Sequence, residues 1–143
     1  MKNNKKITIR ILNIKVQKFN QSEITLDFNR EKTPLVEFQT NFSFKYSIET
    51  EQIMCITNIK VIIIETKEMF AELDVHTEFA IKSLSDFITM VDGKEKIDNV
   101  LLFNVCSVSV STIRGILFEK LKGSELQNEI YPLVDLSSLF PIQ

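Results

Sequence analysis

His76 is the only histidine in the chain and the first candidate for chemistry. Asp74 and Glu78 stand two residues to either side of it, so on an extended strand all three side chains would share one face. Imidazole and carboxylate groups in such an arrangement could bind a metal adventitiously or relay a proton. A solvated strand face explains the same spacing, and a closed zinc site needs four ligands. We therefore expect His76 to be structural or solvated.

The two cysteines, Cys55 and Cys106, lie inside apolar runs without further Cys or His at metal-ligand spacing. Free cysteine is among the most often buried residue types, so we expect two buried thiols in a reducing compartment. The serines of residues 107–111 lack the Gly-x-Ser-x-Gly turn of a nucleophile elbow, and three isolated glycines cannot build a phosphate loop. The sequence predicts no enzyme, no metal site and no cofactor.

Composition and charge favour a single globular domain over residues 1–143, with 44% hydrophobic and 25% charged residues. A net charge of -2 with interspersed signs argues against nucleic-acid binding. The basic start of the chain is followed by alternating residues rather than an apolar signal segment. The longest aliphatic run, residues 61–64, is too short to cross a bilayer, so we expect a cytoplasmic protein without membrane insertion.

Hydrophobic alternation at period two marks the first half of the chain as sheet. Residues 36–48 place apolar side chains on even positions and residues 69–81 mostly on odd positions, which predicts two half-buried strands. Residues 53–65 are apolar on both parities, as is typical of an interior strand. The link at residues 66–68 is too short for a parallel crossover, so the strands it joins are antiparallel neighbours.

A first strand precedes these three, and its alternation changes phase between Ile11 and Leu12, which predicts a β-bulge. Residues 24–28 form a further short extended piece. Together these segments predict a meander of four antiparallel strands.

The second half of the chain is predicted to be helical. Asp98 is an N-cap candidate for an amphipathic helix that runs to about residue 120. A strand is the alternative for residues 107–112, which are rich in Ser, Thr and Val. A turn is expected at residues 92–93 and a short helix within residues 135–140. The fold class is α+β: a four-stranded antiparallel β-meander packed with one long helix in the C-terminal half and a short terminal helix.

The apolar content exceeds what one helix can cover, because a sheet has two faces. Phe42, Phe44 and Tyr46 share one strand face and add bulky contact surface. Core packing explains any one of these rings, but together they predict a hydrophobic binding or assembly surface.

In the order of its elements and in several short motifs, the chain resembles the SecB family of bacterial protein-export chaperones. The motifs are NVLLF, STIRGIL, GSEL, YPLVD and LF at residues 99–103, 111–117, 123–126, 131–135 and 139–140. The resemblance implies a homotetramer, a dimer of dimers, that binds unfolded or non-native polypeptides without catalysis or cofactor. Preproteins for Sec-dependent export would be among its clients.

The resemblance also implies roles for particular residues. The client groove would be lined by aromatic and aliphatic side chains, namely Phe42, Phe44, Tyr46, Leu133 and Phe140. Subunits would associate through the first strand and the long helix, with candidates Ile9, Ile11, Leu102, Val105 and Ser109. Docking of the motor ATPase SecA would involve the acidic residues Glu72 and Asp74, although the family pattern is apolar at position 72.

Two alternatives to an export chaperone stay open. The export chaperone's longer terminal helix and acidic tail have no counterpart after Phe140, which disfavours SecA as a partner. SecB-like relatives also serve as chaperones of antitoxins in toxin-antitoxin systems. The other alternative is a protein-protein interaction module that uses the same apolar face for one folded partner.

Overall fold

A computed structural model describes residues 6–22, 35–132 and 134–141. Within them lie the strands β1 (Ile9–Gln21), β2 (Val36–Ser47), β3 (Gln52–Ile63), β4 (Met69–Ile81), β5 (Ile88–Val91) and β6 (Lys94–Ile97). The helices are α1 (Asn99–Lys120) and α2 (Leu136–Leu139), and a single 3-10 turn covers Leu84–Phe87. The α+β class, the four long antiparallel strands and both helices confirm the sequence analysis.

The four long strands form one antiparallel sheet in the order β1-β4-β3-β2. The tight links after β2 and β3 force sequential neighbours to pair, so β2, β3 and β4 form the expected meander with β3 inside. The position of β1 is a correction to a simple four-strand meander, because β1 pairs with β4 at the far edge. The longer stretch between β1 and β2 imposes no such pairing. The extended piece expected at residues 24–28 lies outside the described residues.

The two edges of the sheet differ in regularity. β2 pairs with β3 over all 12 of its residues without a register shift. The β1–β4 ladder shifts register between Ile11 and Asn13, where the sequence predicts a bulge, and again between Val16 and Lys18. The second irregularity was not predicted, because Val16 and Phe19 are separated by polar residues that disguise the change of phase.

The core lies between one face of the sheet and α1. Alternate residues of β3 and β4 are buried there. They meet the sheet-facing residues of α1, which are Leu101, Val105, Cys106, Ser109, Val110, Ile113 and Leu117. Both cysteines are fully buried free thiols, as predicted.

The helix prediction for α1 is confirmed in its start and its end. The Asp98 carboxylate accepts a hydrogen bond from the Val100 backbone N–H at 3.1 Å and caps the first turn. The Ser/Thr-rich stretch is helical as well, and within it the hydroxyls of Ser109, Ser111 and Thr112 donate to carbonyl oxygens four residues earlier. These bonds satisfy the polar side chains within the helix, so the strand alternative is wrong.

The face of α1 that points away from the sheet is open to solvent, and Ser111, Gly115 and Phe118 on it are exposed. By length and composition α1 could cross a bilayer, but its other face forms the core. On the helix side of β1, Ile11, Ile14 and Val16 are each about 40% exposed. A single chain therefore leaves apolar surface uncovered on both α1 and β1.

Between β4 and α1 the chain forms a short hairpin from β5 and β6. The expected turn is present at Asp92 and Gly93, whose φ angles of 52° and 76° suit a two-residue hairpin loop. The strands flanking this turn were not predicted. Four residues each are too few for alternation to stand out.

Candidate functional site

Four aromatic side chains follow the helix-facing side of β2, and we call them the aromatic row: Phe38, Phe42, Phe44 and Tyr46. All four are half-buried, whereas the equivalent positions of the neighbouring strand β3 are fully buried. The difference arises because β2 is an edge strand and α1 packs over β3 and β4. The aromatic row thus forms an apolar shelf at the edge of the core.

The chain after α1 returns along this shelf as a terminal segment, which comprises the described residues of 126–141. Tyr131 meets Phe38 edge to face, with ring centroids 5.4 Å apart and planes at 82°. Phe140 meets Phe44 in the same way at 6.1 Å and 70°. Such edge-to-face geometry is favoured by the quadrupoles of the rings. The terminal segment is thus seated on the aromatic row at two points.

The first of these points is anchored by hydrogen bonds. Arg114 of α1 donates from Nε to the carbonyl oxygen of Tyr131 at 3.0 Å and from Nη2 to that of Pro132 at 3.4 Å. The hydroxyls of Tyr131 and Thr40 share a hydrogen bond. Tyr131 is only 2% exposed, and this burial raises the pKa of its phenol. Tyr131 is therefore a fixed part of the shelf.

The second point lies beside the β5–β6 hairpin. The Tyr46 hydroxyl donates to the Glu95 carboxylate on β6, and this bond raises the pKa of Tyr46 because it favours the neutral phenol. Asn99 donates from Nδ2 to the Pro141 carbonyl oxygen at 2.9 Å. A cleft of about 570 Å³ opens here, large enough for a bulky side chain. Its lining comprises Thr89, Val91, Lys96, Ile97, Asp98, Asn99, Val100 and Pro141.

The terminal segment also presents apolar groups to solvent. Ile130 is 61% exposed and Leu139 is 54% exposed. The short helix α2 that carries Leu139 is capped by Asp135, whose carboxylate accepts from the Ser137 and Ser138 hydroxyls at 2.6 Å each. These hydrogen bonds lower the pKa of Asp135. The half-buried rings of the aromatic row and the exposed side chains of the terminal segment together form an apolar surface at this edge of the sheet.

The acidic candidates lie on the opposite face of the sheet. The Glu72 carboxylate accepts from Lys18 Nζ and from Asn58 Nδ2, each at 2.9 Å. The Asn58 bond first, and then Lys18, hold the pKa of Glu72 below its ordinary value. Asp74 has a looser partner, since its Oδ2 lies 3.8 Å from Nε2 of His76. Glu72 is engaged within the sheet, and SecA docking through Glu72 and Asp74 stays a prediction.

The described part of the chain contains no group of three or more His, Cys, Asp and Glu side chains that could hold a metal ion. His76 lies on the polar face of the sheet, and its side chain is 25% exposed.

Two of the proposed subunit-contact residues are corrected by the structure. Val105 and Ser109 are fully buried against the chain's own sheet and have no surface left for a second copy. These two residues were candidates only through the family resemblance, and the apolar character of most of α1 did not indicate which of its residues face the sheet. Ile9 and Leu102 are half-buried and Ile11 is 43% exposed, so a role in association stays a prediction for these three.

The aromatic candidates are brought together, and two further residues join them. Phe42, Phe44, Tyr46 and Phe140 lie along the shelf, whereas Leu133 falls outside the described residues. Sequence reasoning missed Phe38 and Tyr131 as site residues. Phe38 shares the parity of the other rings and could have been found, but no sequence signal pairs Tyr131 with it.

The chain matches a known protein in structure but not in sequence. No family model matches the chain, and no curated protein matches it in sequence. Among solved structures, the chain is similar to the SecB-like chaperone Rv1957 of Mycobacterium tuberculosis, which was solved in complex with a ChAD peptide from the antitoxin HigA1. The TM-score is 0.54 at 8% sequence identity, and the match covers 88% of this chain and 86% of the other. The chain therefore has a SecB-like fold.

Proposed function

We propose that this chain is a cytoplasmic SecB-like molecular chaperone that holds extended apolar segments of non-native polypeptides. The observation that supports this function is the aromatic row with the terminal segment seated on it. Phe44 and Tyr46 are half-buried within one chain, and Leu139 is 54% exposed. A surface of this kind recognises a client by apolar burial, which demands no sequence motif.

The expected affinity of one such surface is modest. A client aromatic side chain that buries about 150 Å² gains roughly 4 kcal/mol at 25 cal/mol per Å². Two such side chains gain on the order of 8 kcal/mol before the cost of ordering the client is subtracted, whereas a micromolar Kd alone requires about 8 kcal/mol net. Tight holding therefore needs several segments of one client bound at once.

Assembly of the chain into a homo-oligomer, a dimer of dimers, would place several such binding surfaces in one complex. The open apolar groups of β1, Ile11, Ile14 and Val16, would be covered by one neighbour. The outer face of α1 around Ser111 and Gly115 would be covered by the other. A helix that is apolar on most of its surface is normally buried all round, and α1 is buried on one side in the single chain.

An antitoxin chaperone is the second candidate, because the similar chain Rv1957 was solved with an antitoxin peptide. In that role the shelf would bind one peptide of defined sequence, and the motor ATPase SecA would not be a partner. Export clients would instead be many and unrelated in sequence.

Aggregation of unfolded clients tests the proposal. Several unrelated proteins are unfolded under reducing conditions and diluted into buffer with or without the chaperone, and light scattering is followed at low and at high salt. We expect the chain to suppress the aggregation of all these clients equally at low and at high salt. Ions do not screen the burial of apolar surface, whereas they do screen exposed ion pairs. A chain that protects none of them and binds no apolar peptide is not a chaperone, and one that binds only a single peptide of defined sequence fits the antitoxin role instead.

A further inference from the structure

The two edge strands of the sheet, β1 and β2, differ in their protection against a further strand. The β1–β4 ladder shifts register twice, and β1 carries the basic residues Arg10, Lys15 and Lys18. β2 pairs with β3 without a shift, contains no proline, and has two charged residues of opposite sign, Glu37 and Lys45. Bulges, prolines and charged side chains normally keep an edge strand from accepting another strand. β2 is therefore the less protected edge of this sheet.

The hydrogen-bond pattern of the sheet shows which residues of β2 face this edge. The Ile64 N–H donates to the Leu35 carbonyl oxygen at 3.0 Å, and this pair continues the β2–β3 register. Hydrogen-bonded and non-bonded pairs alternate along an antiparallel ladder. The odd-numbered residues of β2 therefore bond to β3, and the even-numbered residues direct their N–H and C=O groups outward.

The neighbouring ladder gives the same pattern independently. The Ile81 N–H donates to the Glu51 carbonyl oxygen at 2.9 Å, in register with the β3–β4 pairs. The odd-numbered residues of β3 thus bond to β4, which leaves its even-numbered residues, such as Gln52 opposite Ser47, to bond to β2. All four residues of the aromatic row are even-numbered, so they direct their backbone groups toward the free edge while their side chains form the shelf.

These outward groups are unpaired in the described part of the chain. Within residues 6–22, 35–132 and 134–141, no backbone group outside β3 is hydrogen-bonded to the backbone of residues 36–47. The terminal segment meets β2 through the rings of Tyr131 and Phe140 and through the Tyr131 hydroxyl. A row of unpaired strand groups beside an apolar shelf is the arrangement on which strand addition depends.

From this arrangement we propose that a bound client segment adds to β2 as a fifth, antiparallel strand of the sheet. The inference rests on the proposed chaperone function and specifies how that function holds its clients. Antiparallel pairing continues the pattern of the whole sheet and is the more stable of the two directions. Backbone hydrogen bonds add affinity for a client of any sequence, and the shelf adds apolar burial.

The geometry of such a strand selects the class of client. In an antiparallel ladder, residues that exchange backbone bonds lie directly opposite each other, with their side chains on the same face. Client residues bonded to Phe42, Phe44 or Tyr46 therefore place their side chains beside the aromatic row. The client residues between them face the polar side, next to Asn41 and Ser43. The preferred clients are segments in which apolar and polar residues alternate, as in unfolded β-strands.

Binding of synthetic peptides to the intact protein tests the inference. The parent peptide is as long as β2 and alternates apolar with polar residues, and fluorescence anisotropy measures its affinity. Methylation of the backbone nitrogens at its apolar positions removes the donors that face β2 and leaves every side chain unchanged. This peptide should bind about tenfold or more weakly, because several hydrogen bonds are lost together. The matched control carries as many methyl groups at polar positions, whose N–H groups face solvent, and should retain the parent affinity.

Amide hydrogen exchange, followed by NMR on the labelled protein, locates the added strand. The outward N–H groups of Phe42, Phe44 and Tyr46 should exchange rapidly in the free protein and slowly in the complex. The N–H groups of Ser43 and Lys45 are bonded to β3 and should exchange slowly in both states.

Three outcomes would overturn the proposal. Slow exchange at the outward groups of the free protein would mean that another part of the chain, or a second copy, already occupies the edge. Equal effects of the two methylations, or a greater loss from methylation at the polar positions, would exclude antiparallel addition and leave the chaperone function intact. A protein that binds no peptide and protects no client would lack the proposed function itself, and strand addition would fail with it.

Discussion

Phe44 on β2 and Phe140 after α2 form an edge-to-face pair with centroids 6.1 Å apart, which links the sheet edge to the end of the terminal segment. Both rings are half-buried, so the pair is partly open to a client. Phe140 therefore has two roles in the proposed function: it covers Phe44 in the free protein and forms the wall of the shelf when a client binds.

Replacement of Phe140 by Ala tests the second role. The variant loses the aromatic pair, worth about 0.5–1.5 kcal/mol beyond area burial, and the wall it provides to a client. We expect affinity for a labelled apolar peptide to fall several-fold in fluorescence anisotropy, with the fold retained in a urea denaturation curve.

The matched control is Leu139→Ala, one residue earlier, whose side chain is 54% exposed and pairs with no ring. It should weaken peptide binding less than Phe140→Ala does. If Phe140→Ala bound the peptide as tightly as the wild type does, the ring would not form a wall of the shelf. If it bound the peptide more tightly, the ring would block the shelf.

Arg114 holds the other anchor of the terminal segment. Arg114→Met removes the donors to the carbonyl oxygens of Tyr131 and Pro132 while it keeps an apolar stem of similar length. A hydrogen bond from a charged donor contributes about 1.5–3 kcal/mol to stability. Because Arg114 is half-exposed, we expect the free energy of unfolding to fall by an amount near the lower end of this range. Urea denaturation measures this loss, and peptide affinity should fall in parallel.

Lys120→Met serves as the control for Arg114→Met. Lys120 Nζ lies 5.7 Å from the centre of the Phe19 ring on the exposed surface. A cation–π contact at an exposed site contributes about 0.5–1 kcal/mol. A loss from Lys120→Met as large as that from Arg114→Met would contradict a specific anchoring role for Arg114.

Local patterns were sufficient for most of the sheet because each strand has one face on the core. At residues 36–48 and 69–81 a shift of one residue would expose every apolar side chain, so alternation predicts both the strand and its inner face. The helix start was readable from Asp98 for a similar reason, since a cap acts on the next two or three residues.

The shelf depends on contacts far apart in sequence, which periodicity cannot report. Tyr131 meets Phe38 and Arg114 through the return of the chain along β2, and no local pattern encodes that path. The position of β1 beside β4 has the same origin. The assignment of Val105 and Ser109 to an outer surface failed because α1 is apolar nearly all round, so the sequence could not indicate which side meets the sheet.

Thr77→Val should stabilise the protein. A buried hydroxyl without a partner costs about 1–3 kcal/mol in mutational studies, and valine fits a strand at least as well as threonine. We expect a gain of that order in the free energy of unfolding, measured by urea denaturation under reducing conditions. Thr57→Val is the control, because its hydroxyl bonds Cys55, and it should bring no gain. A loss of stability in Thr77→Val would indicate an ordered buried water bound to this hydroxyl.

Tyr131 should make the protein sensitive to alkaline pH. Burial raises the pKa of its phenol above the ordinary value of about 10, so the folded state favours the neutral form. This contribution is complete below the unfolded pKa and is lost as pH rises through the folded pKa. The free energy of unfolding should therefore fall more steeply above pH 10 for the wild type than for Tyr131→Phe. Lysine titration affects both proteins equally, so identical slopes would show that the phenol is not the cause.

Ser111→Arg tests the assembly through the outer face of α1. Ser111 is exposed on the side of the helix away from the sheet, and arginine has a better helix propensity than serine, so the single chain should fold normally. A charged side chain of that size would be desolvated without a partner in a helix–helix interface. In multi-angle light scattering at micromolar concentration we expect a tetramer for the wild type and a dimer, held by β1, for the variant.

Ser43→Arg provides the matched control for this substitution, because Ser43 is exposed on the polar face of β2, opposite the helix. This variant should retain the wild-type mass, since that face takes no part in the proposed assembly. A stable interface buries about 1,600 Å² or more in total, so dilution within the micromolar range should not dissociate the wild type. A monomeric wild type would show that neither open apolar face, of α1 or of β1, is covered by a further copy of the chain. A Ser111→Arg tetramer would show that the outer face of α1 takes no part in the assembly.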